Sequence, residues 1–297
     1  MDQNQKEKLK ATLFYAFPHH MVSRIVYFAT RLSNPAIAQP MINWFIKKFN
    51  VDMSEAEFPN STAYQTFNEF FTRPLKAGAR PIASGDNSLA CPADGTVSES
   101  GHIEDDQIFQ AKNHNYTVKE LVGGDETLAA LFKDGRFATV YLAPYNYHRM
   151  HMPMQGLLKK MIHVPGRLFS VAQWTVRNIP RLFARNERVV CLFSTDAGPM
   201  VMVLVGAINV AAIETVWSGL VTPPRGKKIS DFDYSDITKT YKKGEEMGRF
   251  NMGSTVILLT PPNVEWLPEF KAGQVVKMGE AIGSFTLQGS ARTENLV

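Results

Sequence analysis

Four side chains and one glycine in this 297-residue chain have types and settings that suggest chemistry. The segment Gly248-Arg249-Phe250-Asn251-Met252-Gly253-Ser254-Thr255-Val256-Ile257-Leu258-Leu259 places a Gly-Ser-Thr step directly before an apolar run. Most such steps are turns that lead into core strands, and the pattern is not the GxSxG elbow of an α/β-hydrolase. A serine after glycine has a further option, because Gly253 has no Cβ to shield its carbonyl and its backbone enters conformations closed to other residues. If a base takes the Ser254 hydroxyl proton, Oγ can attack the Gly253 carbonyl and replace the peptide bond by an ester. Elimination then frees the upstream chain at Gly253 and leaves dehydroalanine, which hydrolyses to a pyruvoyl group and ammonia.

A base for that step is available in Tyr147-His148-Arg149-Met150-His151-Met152-Pro153, whose two histidines stand three apart after an apolar run ending near Leu142. Loops leaving strand ends commonly carry catalytic groups. Three uses are open for the pair: metal ligation, which lacks a third ligand at a suggestive spacing and has Arg149 in the way; structural hydrogen bonding; and general acid/base work. No metal is expected. A nucleophile and base also need a group that orients the base, on the pattern of a triad. Asp94, in Ala90-Cys91-Pro92-Ala93-Asp94-Gly95, is the acid selected, with turn capping as its alternative role.

The elements that must position these residues fall into two textures. Up to about residue 60, Leu9, Leu13, Phe14 and Phe17, then Val22, Ile25, Val26, Ala29 and Leu32, recur at helical spacing, interrupted by Pro18 and closed by Pro35. A third short helix is expected from Met41 to Phe49. Lys6, Lys8, Lys10, Arg24, Arg31, Lys47 and Lys48 outnumber the acids there, a combination that suits an anionic lipid surface as well as simple packing. From about Pro74 the chain turns to β-branched runs between Gly, Pro and Asp: Phe137 to Leu142, Val189 to Phe193, Met200 to Val205 and Thr255 to Leu259. Glycines in Pro92 to Val97 and Gly273 to Phe285 predict tight turns between short strands, the second like the hairpins of lipoyl- and biotinyl-type barrel-sandwich domains. The expected fold is α+β: N-terminal amphipathic helices, then a mainly antiparallel β core with barrel-sandwich-like hairpins. Residues 1–60 form the expected membrane-association region and 61–297 the catalytic domain.

Composition narrows the function classes. A net charge of +4 without a block of basic residues gives no footprint for nucleic acid. Cys91 and Cys191 lie far apart without CxxC spacing, so a reducing compartment fits better than a disulfide framework. The longest apolar stretch, Met200 to Ile213, is broken by Gly206 and Asn209 and is too short to span a bilayer. The polar start lacks the pattern of a secretory signal.

Taken together these segments resemble the proenzymes of phosphatidylserine decarboxylase, of the bacterial type. The likeness covers nearly the whole chain and rests on Phe67-Asn68-Glu69-Phe70-Phe71-Thr72-Arg73-Pro74-Leu75, Pro92-Ala93-Asp94-Gly95, the Tyr147 to Pro153 segment, Leu182-Phe183-Ala184-Arg185-Asn186-Glu187-Arg188, Ile213-Glu214-Thr215-Val216-Trp217 and Gly248-Arg249-Phe250 leading to Gly253-Ser254-Thr255. One departure is Met252 where the family has leucine, a near volume-conserving change. The resemblance implies a self-cleavage triad of Asp94, His151 and Ser254, with cleavage between Gly253 and Ser254 into a β chain of 1–253 and an α chain of 254–297 that stay associated. It implies a covalent pyruvoyl cofactor derived from Ser254. This group forms a Schiff base with phosphatidylserine and releases phosphatidylethanolamine and carbon dioxide. His148 is the candidate proton donor or carboxylate-binding residue, and Arg149, Arg167 and Arg185 are candidates for the phosphate. The enzyme is expected at the cell membrane, peripheral, on the cytoplasmic side, as a heterodimer that can pair into a homodimer of heterodimers. Its competitors are a self-processing serine hydrolase and a non-enzymatic lipid-binding envelope protein.

Overall fold

The β-branched runs are long enough to form strands but carry polar residues too sparsely for exposed ones, and they build a central sheet buried on both faces. The computed structural model describes residues 7, 11–12, 14–15, 17–112, 114–208, 212–223, 228–251 and 255–287. Nine strands form one antiparallel sheet in the order Ser230–Asp233, Gly156–Val164, Arg188–Thr195, Gly198–Val205, Thr255–Thr260, Arg136–Tyr141, Gly95–His102 and Val275–Val276, with Thr240–Tyr241 also on Gly156–Val164. Every residue of Thr255–Thr260 is buried, and this strand pairs Thr255 with Tyr141 on one side and with Val205 on the other. The expected α+β class and antiparallel core are therefore observed.

A four-stranded sheet lies against this one, in the order Gly219–Leu220, Ile213–Thr215, Glu246–Phe250 and Arg149–His151. The chain thus leaves one sheet at Phe250 and enters the other at Thr255. Met252, Gly253 and Ser254 lie outside the described residues.

The glycine-rich C-terminal segment departs from a simple hairpin. Val275–Val276 pairs with Gly95–His102, whereas Ala281–Phe285 joins Ser88–Ala90 and Val264–Trp266 in a separate three-stranded sheet. The turn between them needs Gly279: its φ is +91°, and a Cβ there would stand 2.5 Å from the Pro81 carbonyl.

Helices occupy the N-terminal part, at His19–Ala29 and Pro35–Phe49. The second begins earlier than Met41 because Asn34 caps it, its side chain accepting from the Ala36 N–H at 2.9 Å, and Pro35 suits the first turn. Pro40 is tolerated inside it near that first turn. Ala38, Ile42 and Phe45 bury against Phe67, Phe70 and Phe71 of the short helix Phe67–Phe71, which opens with a Thr66–Glu69 capping box. The apolar side chains on the other faces, Met21, Ile25, Phe28, Leu32, Ile37 and Trp44, are exposed. Among the described residues no helix is long and apolar enough to cross a membrane.

Candidate active site

The two histidines sit on either side of the start of one short strand, and strand pairing fixes what each faces. In the antiparallel register Glu246 lies opposite His151 and Arg249 opposite Arg149, and the Phe250 N–H donates to the His148 carbonyl at 3.0 Å. His148 is therefore beside the end of the strand that leads towards residue 254, and His151 is beside its beginning.

His151 is 8% exposed. Its Nδ1 lies 2.8 Å from the Gly244 carbonyl, which can only accept, so Nδ1 carries the proton and Nε2 has the lone pair. That lone pair faces the Tyr147 hydroxyl at 3.0 Å. Burial raises the Tyr147 pKa and keeps its hydroxyl a donor. Burial also lowers the His151 pKa, against the opposing pull of the Gly244 carbonyl, Glu246 and Asp94, so the ring is a neutral base at neutral pH.

Asp94 is buried in the turn between Ser88–Ala90 and Gly95–His102. It accepts from Arg80 Nε at 2.9 Å and Nη2 at 2.5 Å, and from the Met278 N–H at 2.8 Å. Arg80 Nη2 also reaches Glu55 at 2.7 Å, and Lys277 Nζ reaches the other Glu55 oxygen at 3.1 Å. The Arg80 hydrogen bond is the main reason Glu55 titrates at about 2. In this arrangement the Gly244 carbonyl, not Asp94, orients His151. Asp94 is tied to it through the backbone, where the His151 N–H donates to Pro92 at 2.8 Å, and through its charge.

His148 is fully buried. Its Nδ1 donates to the Asn146 carbonyl at 2.7 Å, which leaves Nε2 as an acceptor with no hydrogen-bond partner. Burial first, and the charge of Arg73 second, push its pKa down to about 3. A ring in this state has no proton on Nε2 to give and no charge with which to hold a carboxylate.

On either side of 252–254, Asn251 accepts from Asn68 Nδ2 at 3.1 Å, while among the described residues its own Nδ2 and the buried Thr255 Oγ1 have no partner. Two of the arginines considered for a phosphate are engaged, Arg149 with Glu246 at 2.9 Å and the Thr72 carbonyl at 2.9 Å and Arg185 with Tyr15 at 2.9 Å, whereas Arg167 is exposed. Sequence reasoning missed Arg80 and Tyr147. Tyr147 stood four residues before His151, the one signal that could have found it; Arg80 carried none.

The family model described as phosphatidylserine decarboxylase matches residues 67–284, and a second, described as PSD, matches residues 9–50. A phosphatidylserine decarboxylase proenzyme of Alkalilimnicola ehrlichii is 58% identical over 254 residues, 85% of this chain and 88% of the relative. Proenzymes of the same description are 49% identical in Ectopseudomonas mendocina, over 95% of this chain and 100% of theirs, and 50% identical in Pseudomonas aeruginosa, over 93% and 97%. The chain belongs to the phosphatidylserine decarboxylase family.

Proposed function

We propose that this member of the phosphatidylserine decarboxylase family cuts itself between Gly253 and Ser254, converts Ser254 to a pyruvoyl group and decarboxylates phosphatidylserine to phosphatidylethanolamine and carbon dioxide. The observation that carries this reading is the change of sheet between Phe250 and Thr255, alongside the strand that carries a neutral, buried histidine base.

In the first step His151 Nε2 takes the proton of Ser254 Oγ as Oγ attacks the Gly253 carbonyl. Gly244 holds the tautomer that leaves Nε2 free of a proton, and Tyr147 gives up its hydrogen bond to the base. Asp94 stabilises the charge that develops on the ring. A second assignment of the base has two observations in its favour: His148 Nε2 has no partner among the described residues, and its backbone contacts Phe250.

A pyruvoyl carbonyl supplies an electron sink for the pair left behind when carbon dioxide departs an amine substrate. The described neighbours of position 254 fit such a group: Asn251 Nδ2 and Thr255 Oγ1 are buried groups with hydrogens to donate and no partners, and either would hold a carbonyl oxygen. His148, kept neutral, serves as a proton acceptor in the resting site.

Cleavage at 253–254 would leave Thr255–Thr260 between two β-chain strands, Val275–Val276 on Gly95–His102 and Met278 on Asp94. These pairings support continued association of the two chains. The exposed stripe Met21, Ile25, Phe28 and Leu32, with Trp44, supports docking of residues 1–60 on a bilayer surface, on the cytoplasmic side where Cys91 and Cys191 would remain thiols. Replacing Ile25, Phe28 and Trp44 by serine should abolish flotation with anionic liposomes; undiminished flotation would remove this part. The activity is tested by incubating purified protein with phosphatidylserine vesicles. Phosphatidylethanolamine should form with wild type and not with Ser254→Ala.

A further inference from the structure

Two residues beyond the helix Phe67–Phe71 stands a residue that the self-cleavage chemistry does not use. Arg73 is 3% exposed, and among the described residues its buried Nε has no hydrogen-bond partner. Its side chain donates from Nη2 to the Tyr145 carbonyl at 3.3 Å, and its guanidinium stands 5.4 Å over the Phe70 ring. Among the described residues no carboxylate forms an ion pair with it, although Arg80, Arg136 and Arg149 all have one. A buried cation without an anion is costly, and burial indeed lowers the Arg73 pKa. Such a cost persists where the charge is used.

Its surroundings say where. Phe71, two residues earlier, packs its ring 4.1 Å from the His148 ring, and Asn68 on the same helix bonds Asn251. The same helix also meets the N-terminal region: the Asn68 N–H donates to the Thr30 carbonyl at 2.9 Å, at the end of His19–Ala29, and Phe67, Phe70 and Phe71 pack on Pro35–Phe49. Arg73 thus lies between the helices with the exposed apolar stripe and the residues flanking position 254. Tyr145, whose carbonyl it holds, is 48% exposed.

We propose that Arg73 binds the phosphodiester of the lipid headgroup. This rests on the decarboxylase reading and names a subsite for it. The headgroup offers two anions, a carboxylate and a phosphodiester, and the chemistry separates them. The carboxylate leaves as neutral carbon dioxide, so an arginine on it would stabilise the ground state more than the transition state and slow the reaction. The phosphodiester is unchanged throughout. Binding it equally in both states lowers KM, and the planar guanidinium suits two phosphate oxygens at once.

The test uses the self-cleaved enzyme, a short-chain soluble phosphatidylserine and glycerophosphocholine, a phosphodiester with neither a carboxylate nor a primary amine. Loss of charge-assisted hydrogen bonds is worth roughly 10- to 100-fold. Arg73→Gln should still yield both fragments, raise KM and the inhibition constant of glycerophosphocholine by that factor, and change kcat much less. Unchanged constants would overturn the assignment, as would a collapse of kcat at constant KM. If the glutamine variant does not fold, Arg73→Lys decides: it keeps the charge without the fork, and a KM and inhibition constant equal to wild type would overturn the proposal. Inhibition of wild type by N-acetylserine but not by glycerophosphocholine, relieved in Arg73→Gln, would reassign the arginine to the carboxylate and also overturn it. A wild type that neither cleaves nor decarboxylates would instead refute the underlying reading.

Discussion

Two buried polar clusters lie within a few residues of the histidine strand, and they differ in how completely they are satisfied. Around Asp94 each charge has a partner: Arg80 spans Asp94 and Glu55, Lys277 completes Glu55, and the Met278 N–H closes the carboxylate. On the other side, among the described residues, four buried polar atoms have no hydrogen-bond partner: His148 Nε2, Arg73 Nε, Asn251 Nδ2 and Thr255 Oγ1. Buried networks that are fully paired rigidify a fold, whereas an unpaired buried group costs free energy and calls for a reason. The contrast assigns holding to the first cluster and chemistry to the second, with His151 between them, its lone pair engaged only by Tyr147.

The largest expected effect separates the two histidines. His151→Gln should slow appearance of the 254–297 fragment by about 10²- to 10⁴-fold, the range for removing a general base. His148→Gln should leave cleavage within about tenfold and instead impair decarboxylation. Gel densitometry over time reads both, and an exchange of the two outcomes would transfer the base role to His148.

Next in size is the paired cluster. Arg80→Met in a Ser254→Ala background should lower unfolding free energy by about 3–5 kcal/mol, because it strands a buried carboxylate. A urea titration measures it; a loss below about 1 kcal/mol would break the contrast by showing that the pairing is not structural.

The third effect is spread over pH, about 1.4 kcal/mol or less at each unit. His148 has a folded pKa of about 3 against an ordinary 6.5. Between those values the unfolded chain binds a proton that the native ring refuses, so stability falls as pH drops through this window, by up to about 1.4 kcal/mol per pH unit. Glu55 has the opposite charge and the same direction: its depressed pKa contributes stability that is complete above its ordinary 4.5 and lost as pH falls towards about 2. Urea titrations from pH 7 to 4 should show the slope, and His148→Gln should flatten it above pH 4.5.

Much of the fold was legible because burial writes itself into residue type. The runs at 137–142, 189–193, 200–205 and 255–259 are observed as the core strands 136–141, 188–195, 198–205 and 255–260, their ends differing by at most two residues. The segment Gly273 to Phe285 misled because a local pattern of two short strands about a glycine turn does not say which sheet each strand joins; here long-range pairing sends them to different sheets. Motif strength was also a poor guide to role. In Leu182 to Arg188, Asn186 stitches Phe169 to Gly206 and Glu187 meets His163 at 3.1 Å, which is support for the core. Arg73 was in plain view within a quoted motif, but only the folded chain shows that it lacks an acid.

The central claim is that Ser254 is first a nucleophile and then a carbonyl group. Intact-mass spectrometry of purified wild type beside Ser254→Ala tests it most directly. Wild type should give two fragments, with the 254–297 chain about 17 mass units, one ammonia, below the value for a serine start, and Ser254→Ala should remain at 33.3 kDa. A wild type of full length, a small fragment beginning with unmodified serine, or cleavage that persists in Ser254→Ala would contradict it.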